Sequence, residues 1–394
     1  MSERKNHTTG AEAMVRLLSD HGVRHIFGLC GDTSLPFYDA LARLDHPMQH
    51  ILTRDERHAA YMADAYARLT GRVGICEGPS GGGATYIAPG LVEANESSVP
   101  ILAITTDVAT TSAGRYPLTE LDQKALFDPL TKWNSVLDQP TALPRTVRRA
   151  FREMTTGRPG SAHLALPFDT QKAAVPEDEV WADPRFSEFP ALRSESAMDE
   201  QETAKFVAAL LDASSAVIIC GGGVVLSRAE RELARLAEIL NLPVATTVSG
   251  QGAIAETHPN AVGVVGSNGG RPGTRDVIDA ADCVLFIGCR AGSVTTERWR
   301  SPKPGTRILH IDCDPGVVGA SYQTHSAWLG DARTCLESLN EILREVDDLP
   351  NHRGNARASD ARDAKEAAFR PLADSVETPI RPERVIDALN RLLP

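Results

Sequence analysis

The sequence predicts an α/β protein with two doubly wound domains, each a mainly parallel six-stranded sheet flanked by helices, followed by a C-terminal tail. The chain has 394 residues, which is enough for two or three domains. Short segments rich in Val, Ile and Leu alternate with longer helical patterns, as they do in βαβ units. This alternation occurs twice, before and after a stretch at 171–197 that is rich in Pro and charge.

The first series predicts one complete domain at 1–172. Its helix near 53–71 is rich in Ala and ends at Gly71, a residue type that commonly follows a helix C-terminus. Residues 173–197 are expected to form a linker. Strands are predicted at 24–28, 50–53, 73–76, 100–105, 134–137 and 162–166.

The second series predicts a domain at 198–346, in which three glycines at 221–223 follow a strand and precede a helix. Asp, Arg, Asn and Ala dominate 347–373, which predicts a mobile or loosely helical connection. A terminal helix is predicted at the end of the last segment, 347–394. Strands are predicted at 216–220, 244–247, 283–287 and 307–311, and helices at 202–211, 228–240 and 332–345.

Composition and charge exclude several classes of function. The 41 Lys and Arg residues against 52 Asp and Glu give a net charge of -11, which repels nucleic-acid phosphates and anionic lipid. No apolar run approaches the roughly 20 residues that cross a bilayer, and the polar N-terminus has no signal region, so we expect a cytoplasmic protein. The seven cysteines form no C-x-x-C pair, which argues against a disulfide framework or a zinc site.

Glu56 is the sharpest local candidate for chemistry, and two interpretations compete for it. Thr53 and Glu56 have the S/T-x-x-E spacing of a capping box, in which the glutamate satisfies the helix start. Alternatively, Glu56 is a functional carboxylate, because it follows a strand at a helix N-terminus, on the edge where parallel sheets bind ligands. On local evidence alone the capping interpretation is the stronger one.

Three other motifs carry weaker signals. Residues 78–85 form a Gly-rich turn that allows close approach to a ligand, but the turn lacks the Lys of a P-loop. The glycines at 221–223 suit a nucleotide, although the full dinucleotide fingerprint is absent. His310, Asp312 and Asp314 alternate at a strand end, and the proline that follows favours an ordinary turn over a metal site. Hydrolase motifs such as G-x-S-x-G and H-E-x-x-H do not occur.

The order of several motifs resembles the thiamine-diphosphate-dependent enzymes of the acetolactate synthase and 2-oxo acid decarboxylase superfamily. IFGLCGDTSLP at 26–36 is similar to the family's first turn, usually F-G-x-P-G-G and then L-P. RDERHAA at 54–60 resembles R-H-E-x-x-A-A, and PSGGGATY at 79–86 resembles T-S-G-P-G-A-T-N. Further likenesses are LTELD at 118–122, GSAHLALPFD at 160–169, LPVATT at 242–247, FIG at 286–288 and HIDCDP at 310–315. Together they imply the family's pyrimidine-binding and central domains.

This resemblance implies a catalytic role for Glu56. In the family the matching glutamate hydrogen-bonds N1′ of the aminopyrimidine and promotes the imino form that removes the thiazolium C2 proton. The activated carbon attacks a 2-oxo acid, which loses CO₂, and the product is released or transferred to an acceptor. The residues that match the family's cofactor pocket are Leu29, Cys30, Gly31, Glu56, Pro79, Gly82 and Tyr86, and Thr119 matches a substrate residue.

Four of these positions depart from the family pattern. Cys30 and Gly82 replace prolines, Tyr86 replaces an asparagine, and Thr119 replaces a glutamine. These changes alter shape and hydrogen bonding beside the reacting carbon, so we expect a specialised 2-oxo acid. The family's central domain binds FAD, a nucleotide such as ADP, or nothing, and the residues here leave these alternatives open.

The family's third domain binds the diphosphate and Mg²⁺ through a G-D-G segment and a downstream Asn, and this sequence has no G-D-G. The segment 379–394 resembles that domain's first helix. We therefore expect a split enzyme, in which a separate subunit carries the diphosphate-binding domain and the chains assemble as a heterotetramer or larger. The alternatives are a non-catalytic nucleotide-binding or regulatory protein from the same superfamily and a shortened form of a full-length enzyme.

Overall fold

The computed structural model describes residues 8–191, 198–267 and 273–393. The chain divides into two compact units, Met1–Leu192 and Arg193–Pro394. Each unit contains a parallel sheet of six strands flanked by helices, which confirms the predicted fold class. Within the described ranges, no helix is long and apolar enough to cross a membrane.

The first unit alternates strands and helices. Its strands are β1 Thr8–Thr9, β2 His25–Gly28, β3 Gln49–Leu52, β4 Gly74–Gly78, β5 Ile101–Asp107, β6 Trp133–Val136, β7 Ala162–Pro167 and β8 Ala174–Val175. Its helices are α1 Gly10–Asp20, α2 Leu35–Arg43, α3 Glu56–Thr70, α4 Gly82–Glu96, α5 Gln123–Phe127, α6 Leu143–Thr155 and α7 Phe168–Lys172. Every residue of β4, β5 and β7 is buried, as expected for central strands of a parallel sheet covered on both faces.

The sheet of the first unit has the strand order β3-β2-β4-β5-β7-β6. All six strands were predicted, and the observed ends lie within two residues of the predicted ones. Beside this sheet, β1 pairs antiparallel with β8. The segment 173–191, which was predicted as a linker, is therefore part of the first unit, whereas the rest of that predicted linker lies outside the described residues.

Small residues bring α3 close to its neighbours in the first unit. A Cβ at Gly90 of α4 would lie 2.4 Å from the Cβ of Ala60, and a Cβ at Gly74 of β4 would lie 2.1 Å from the carbonyl oxygen of Ala63. Only glycine fits both contacts without moving the helix. The close approach places the first turn of α3 against the loop that joins β4 to α4. The buried alanines on this side of α3 are Ala59, Ala60, Ala63 and Ala67.

The second unit repeats the architecture. Its strands are β9 Ala216–Cys220, β10 Val244–Thr246, β11 Ala261–Val264, β12 Cys283–Ile287, β13 Arg307–Asp312 and β14 Ser326–Leu329, in the order β11-β10-β9-β12-β13-β14. Its helices are α8 Glu200–Leu211, α9 Gly222–Leu226, α10 Glu230–Ile239, α11 Thr274–Asp279, α12 Ala332–Arg344, α13 Gly354–Ala373 and α14 Pro382–Leu392. The two edge strands, β11 and β14, were not predicted, and β11 contains a glycine with positive φ.

The connection at 347–373, predicted to be mobile or loosely helical, contains the continuous 20-residue helix α13. Two of its positively charged side chains donate hydrogen bonds to backbone carbonyl groups. Arg357 donates to the carbonyl oxygen of Ala216 at 2.8 Å, and Lys365 donates to that of Val262 at 2.6 Å. Two of the charged residues that suggested a loose connection therefore anchor the helix to strands β9 and β11.

The predicted terminal helix is present as α14. An ion pair of 3.0 Å between Arg370 and Asp387 joins it to α13. Within the described part of the second unit, its apolar residues remain exposed: Val385, Ile386, Leu389, Leu392 and Leu393.

Candidate functional site

The carboxyl ends of β2 and β4 mark the place where the sheet of the first unit reverses its strand order. The chain continues from β2 to β3 on one side and then crosses to β4 on the other side of β2. In open α/β sheets, ligands bind in the crevice outside such a reversal. Here the loop after β2 contains 29–34, and the Gly-rich turn at 78–85 runs from the end of β4 into the first turn of α4. The topology therefore brings the two motifs together at one edge.

Glu56 is the first residue of α3, and the predicted capping box with Thr53 is wrong. The N-cap is Asp55, whose side chain accepts a hydrogen bond of 2.9 Å from the backbone N–H of Arg57. The hydroxyl of Thr53 is buried without a hydrogen-bond partner. The helix starts two residues later than a Thr53 cap requires, because Asp55 is itself a good N-cap residue. The side chain of Glu56 is therefore free of the capping role.

The Gly-rich turn encloses the Glu56 side chain. A Cβ at Gly78 would lie 3.3 Å from Cγ of Glu56, and a Cβ at Gly83 would lie 3.0 Å from its Oε1 and 2.5 Å from Cδ of Pro79. Glu56 is 8% exposed, and within the described ranges no protein donor hydrogen-bonds its carboxylate. A nearly buried carboxylate without a partner costs free energy, so this group is suited to a ligand that donates to it.

The loop after β2 packs against the same turn. A Cβ at Gly31 would lie 2.5 Å from Cβ of Pro79, so a larger residue at position 31 would push the two loops apart. Leu29 is half-buried and Cys30 is exposed at this edge. Gly82 faces open space, with nothing within 4 Å of the Cβ position.

A network of hydroxyl groups ties the loop that carries Thr119 to the Gly-rich turn. The Thr119 and Ser80 hydroxyl oxygens are 2.6 Å apart, and Thr33 Oγ1 accepts a hydrogen bond of 3.1 Å from the backbone N–H of Ser80. Thr119 has φ of 73°, in the left-handed region that non-glycine residues seldom adopt. A Cβ at Gly81 would lie 2.7 Å from Cβ of Thr119. The structure therefore places Thr119 at the predicted pocket.

Tyr86 lies one turn into α4 and is exposed. The guanidinium carbon of Arg57 stands 5.6 Å from the centre of its ring. Tyr86 is thus beside the residue that follows Glu56. The predicted pocket residues all belong to this sheet edge or to the first turns of α3 and α4, and their roles stay predictions.

Sequence reasoning missed a buried acid in β4. Glu77 is fully buried in β4, and burial, reinforced by the charge of Glu56, raises the pKa of Glu77 to about 8. The hydroxyl of Tyr38 donates a hydrogen bond of 2.6 Å to Glu77 Oε2. The signal was available, since a charged residue inside a central parallel strand is unusual without a paired or functional role.

In the second unit, the glycines at 221–223 are explained by close backbone packing. A Cβ at Gly221 would lie 2.2 Å from the carbonyl oxygen of Gly288, and a Cβ at Gly223 would lie 2.6 Å from Cα of Gly288. His310 Nε2 donates to the carbonyl oxygen of Cys289 at 2.9 Å. Across the described residues of both units, no group of three or more His, Cys, Asp or Glu is arranged to hold a metal ion.

Two family models match the chain. Residues 8–126 match the model "Thiamine pyrophosphate enzyme, N-terminal TPP binding domain", and residues 203–339 match the central domain of the same enzymes. Similar curated proteins include a probable acetolactate synthase large subunit of Methanocaldococcus jannaschii, 36% identical over 98% of this chain and 64% of the relative. The acetolactate synthase large subunit of Corynebacterium glutamicum is 34% identical over 85% of the chain and 53% of the relative.

Acetolactate synthase isozyme 3 large subunit of Escherichia coli is 32% identical over 86% of the chain and 58% of the relative. The chain thus spans between about half and two thirds of the length of these relatives. The matches follow the two units in order, and the first one includes Glu56 and the Gly-rich turn. The chain therefore belongs to the thiamine pyrophosphate enzymes, of which it carries the N-terminal TPP-binding domain and the central domain.

Proposed function

We propose that this chain is the pyrimidine-binding part of a thiamine-diphosphate-dependent enzyme that decarboxylates a 2-oxo acid, with release of the product or its transfer to an acceptor. The observation that carries the proposal is the Glu56 carboxylate. It is 8% exposed, stands at the N-terminus of α3, and lacks a protein hydrogen-bond partner among the described residues. That arrangement supports a group that holds and exchanges a proton with a bound ligand.

The residues around Glu56 fit an aminopyrimidine ring. Glu56 would hydrogen-bond N1′ of the ring, and the missing side chains of Gly78 and Gly83 leave its carboxylate accessible. Gly31 and Pro79 form the wall beside it, Cys30 lies in the same loop as Gly31, and Thr119 stands where the substrate would enter. When bound, thiamine diphosphate supplies a carbon nucleophile that polypeptide side chains do not offer. The protein's part is to position the ring and to move the proton at Glu56.

The described residues do not fit the other end of the cofactor. They contain no acidic cluster for Mg²⁺, and a chain of net charge -11 attracts a diphosphate poorly without a metal ion. We propose that the diphosphate and Mg²⁺ are held by a separate subunit. The exposed apolar residues of α14, such as Val385 and Leu389, are candidates for docking it.

Isothermal titration calorimetry tests whether the diphosphate and Mg²⁺ are held by a separate subunit. The purified chain is expected to bind thiamine diphosphate weakly and without dependence on Mg²⁺, because it offers the pyrimidine side of the site alone. Adding a protein of about 180–200 residues that carries G-D-G and a downstream Asn, the size of one α/β domain, is expected to produce tight Mg²⁺-dependent binding. Tight Mg²⁺-dependent binding by this chain alone would contradict the separate-subunit proposal.

The function itself is tested by CO₂ release from a panel of 2-oxo acids. The enzyme is purified from its native host together with the polypeptides that co-purify with this chain. CO₂ release that requires both thiamine diphosphate and Mg²⁺ supports the proposal. A complex that binds the cofactor and releases no CO₂ from any 2-oxo acid would instead favour a non-catalytic regulatory protein.

The double variant Tyr86→Asn with Thr119→Gln restores the residues that typical members of the family carry. We expect it to change the ranking of 2-oxo acids more than it changes thermal stability, because Tyr86 is exposed and Thr119 lies in a surface loop. The measurement is kcat/KM for each acid, with melting temperature beside it. Tyr116→Asn, on the same loop and 97% exposed, is the control. A uniform loss of kcat/KM with the ranking intact would contradict this assignment.

A further inference from the structure

A chain of four hydroxyl groups runs from the end of β5 to Thr119 in the first unit. Its members, in order, are Thr106 of β5, Thr33 of the loop after β2, Ser80 of the Gly-rich turn, and Thr119 of the loop 108–122 between β5 and α5. The hydroxyl oxygens of Thr106 and Thr33 are 2.8 Å apart. Those of Thr33 and Ser80 are 3.1 Å apart, and those of Ser80 and Thr119 are 2.6 Å apart. The hydroxyl chain thus connects a fully buried residue of the sheet to an exposed residue at the candidate site.

The hydrogens of the hydroxyl chain are all directed from Thr106 towards Thr119. Thr33 donates to the Ser80 oxygen, and because a hydroxyl has only one hydrogen to donate, Thr106 donates to Thr33. At the other end, Thr119 donates to the carbonyl oxygen of Leu118, so its own oxygen accepts the hydrogen of Ser80. The Thr119 hydroxyl therefore accepts a hydrogen bond from the chain and gives its hydrogen to an acceptor outside it.

Thr33 is the junction of this hydroxyl chain. Its Oγ1 also accepts a hydrogen bond of 3.1 Å from the backbone N–H of Ser80, and its carbonyl oxygen accepts one of 3.0 Å from Nε2 of Gln171 in α7. Gln171 is buried and donates at 3.0 Å to the carbonyl oxygen of Leu166 in β7 as well. Both the side chain and the backbone of Thr33 are therefore held by the sheet, and Thr33 in turn holds the Gly-rich turn at Ser80.

The loop 108–122 depends on such anchors because every one of its residues is partly or fully exposed. Tyr116 and Thr119 have φ of 58° and 73°, a backbone conformation that non-glycine residues keep only where their surroundings hold it. Near the start of the loop, the backbone N–H of Thr110 donates to Oδ1 of Asp169 at 3.0 Å. Near its end, the hydrogen bond between Ser80 and Thr119 ties the loop to the Gly-rich turn. The hydroxyl chain therefore fixes the part of the loop that carries Thr119.

We propose that Thr33 and Ser80 are positioning residues for Thr119: their hydroxyl groups hold the loop 108–122 at the sheet edge and direct the Thr119 hydrogen to an acceptor oxygen of the 2-oxo acid. The inference rests on the proposed function in one respect, namely that such an acid enters beside Thr119. The carboxylate and the carbonyl group of a 2-oxo acid accept hydrogen bonds and donate none. Because the loop is already ordered, binding the acid requires little further loss of loop entropy.

Hydrogen exchange of the cofactor-free chain, followed by mass spectrometry, tests whether the hydroxyl chain holds the loop. Two hydrogen bonds report the opening of the loop: the N–H of Gly114 donates to Glu120 Oε1 at 2.6 Å, and the N–H of Glu120 donates to the carbonyl oxygen of Pro117 at 3.3 Å. Thr33→Val keeps nearly the same side-chain shape and removes the hydroxyl. We expect it to accelerate exchange of the peptide 113–122 by roughly two- to tenfold, the range that corresponds to the net contribution of one hydrogen bond.

Further variants distinguish the hydroxyl chain from a general effect on stability. Thr33→Ser retains the hydroxyl and should exchange the peptide 113–122 at the wild-type rate. Ser80→Ala breaks the next link and should accelerate exchange of the same peptide, so the test holds even if Thr33→Val does not fold. Thr155→Val is the matched control, because it removes a threonine hydroxyl of the same unit that donates to the carbonyl oxygen of Phe151 at 2.8 Å. It should leave exchange of the peptide unchanged.

In the assembled enzyme, a positioning role predicts that substrate binding and cofactor activation respond differently. Thr33→Val should raise KM for the 2-oxo acid by roughly fivefold, and Thr33→Ser should restore it. C2 proton exchange of bound thiamine diphosphate should stay at the wild-type rate in both variants, because in the proposed function that step depends on Glu56. A smaller fraction of folded enzyme would instead lower kcat and leave KM unchanged.

Three results would overturn the proposal. The first is exchange of the peptide 113–122 at the wild-type rate in both Thr33→Val and Ser80→Ala, the second is equal acceleration in Thr155→Val, and the third is an unchanged KM in Thr33→Val. Failure of the proposed function would look different, because loop exchange would respond to the variants as expected while the assembled enzyme released no CO₂ from any 2-oxo acid.

Discussion

Glu56→Gln is expected to slow C2 proton exchange of bound thiamine diphosphate by roughly 10²- to 10⁴-fold, the usual contribution of a positioned acid–base group. The amide of glutamine is neither acidic nor basic enough to release a proton to N1′ of the aminopyrimidine or to take one from it. Folding and assembly should persist, because the Glu56 carboxylate makes no hydrogen bond to the described protein and glutamine has nearly the same shape. The measurement is proton NMR of the cofactor after timed incubation of the assembled enzyme in D₂O.

Asp55 provides a matched control one residue away. Asp55→Ala removes the N-cap acceptor of α3 and is expected to lower the free energy of unfolding by about 0.5–2 kcal/mol without a selective effect on exchange. Substitutions at these two neighbouring acids thus distinguish an effect on the free energy of unfolding from an effect on C2 proton exchange. An exchange rate in Glu56→Gln equal to that of the wild type would show that Glu56 is not the activating group.

Glu77→Gln is expected to change the pH dependence of stability. The pKa of Glu77 is raised in the folded protein from its ordinary value of 4.5 to about 8. Between these pH values the folded protein keeps a proton that the unfolded chain has released, so the wild type loses stability as the pH rises through this window. Glutamine does not titrate. The free energy of unfolding of the Glu77→Gln variant should therefore rise relative to that of the wild type, by up to about 5 kcal/mol between pH 4.5 and pH 8.

This difference is measured by urea unfolding with hydrogen exchange of the β4 peptide as the readout. The readout reports on unfolding of the first unit alone. The comparison at pH 4.5 is the internal control, because both side chains are then neutral and both accept the hydrogen bond from Tyr38. A difference between the two proteins that stays constant from pH 4.5 to pH 8 would mean that the pKa of Glu77 is the same in the folded and the unfolded protein, contrary to the effect expected from its burial.

The local sequence predicted most elements of the fold because hydrophobic periodicity is a local signal. Strands such as 216–220 and 283–287 were predicted with the ends the structure shows, since their apolar runs are bounded by turn residues. The helix α13 was predicted only as a mobile or loosely helical connection, for the opposite reason. Its sequence is charged, and its order comes from Arg357 and Lys365 binding carbonyl groups of distant strands.

At the candidate site, the sequence by itself determined which segments take part, because motif order and residue type survive without coordinates. Glu56, the Gly-rich turn and Thr119 were identified in this way. Only the tertiary structure decided that Asp55, not Thr53, caps α3, which leaves Glu56 free for a ligand. It alone also brought Tyr38, His50 and Glu77 together across Gly28. Such contacts join residues far apart in the chain, and sheet topology sets their distances, so no local pattern contains them.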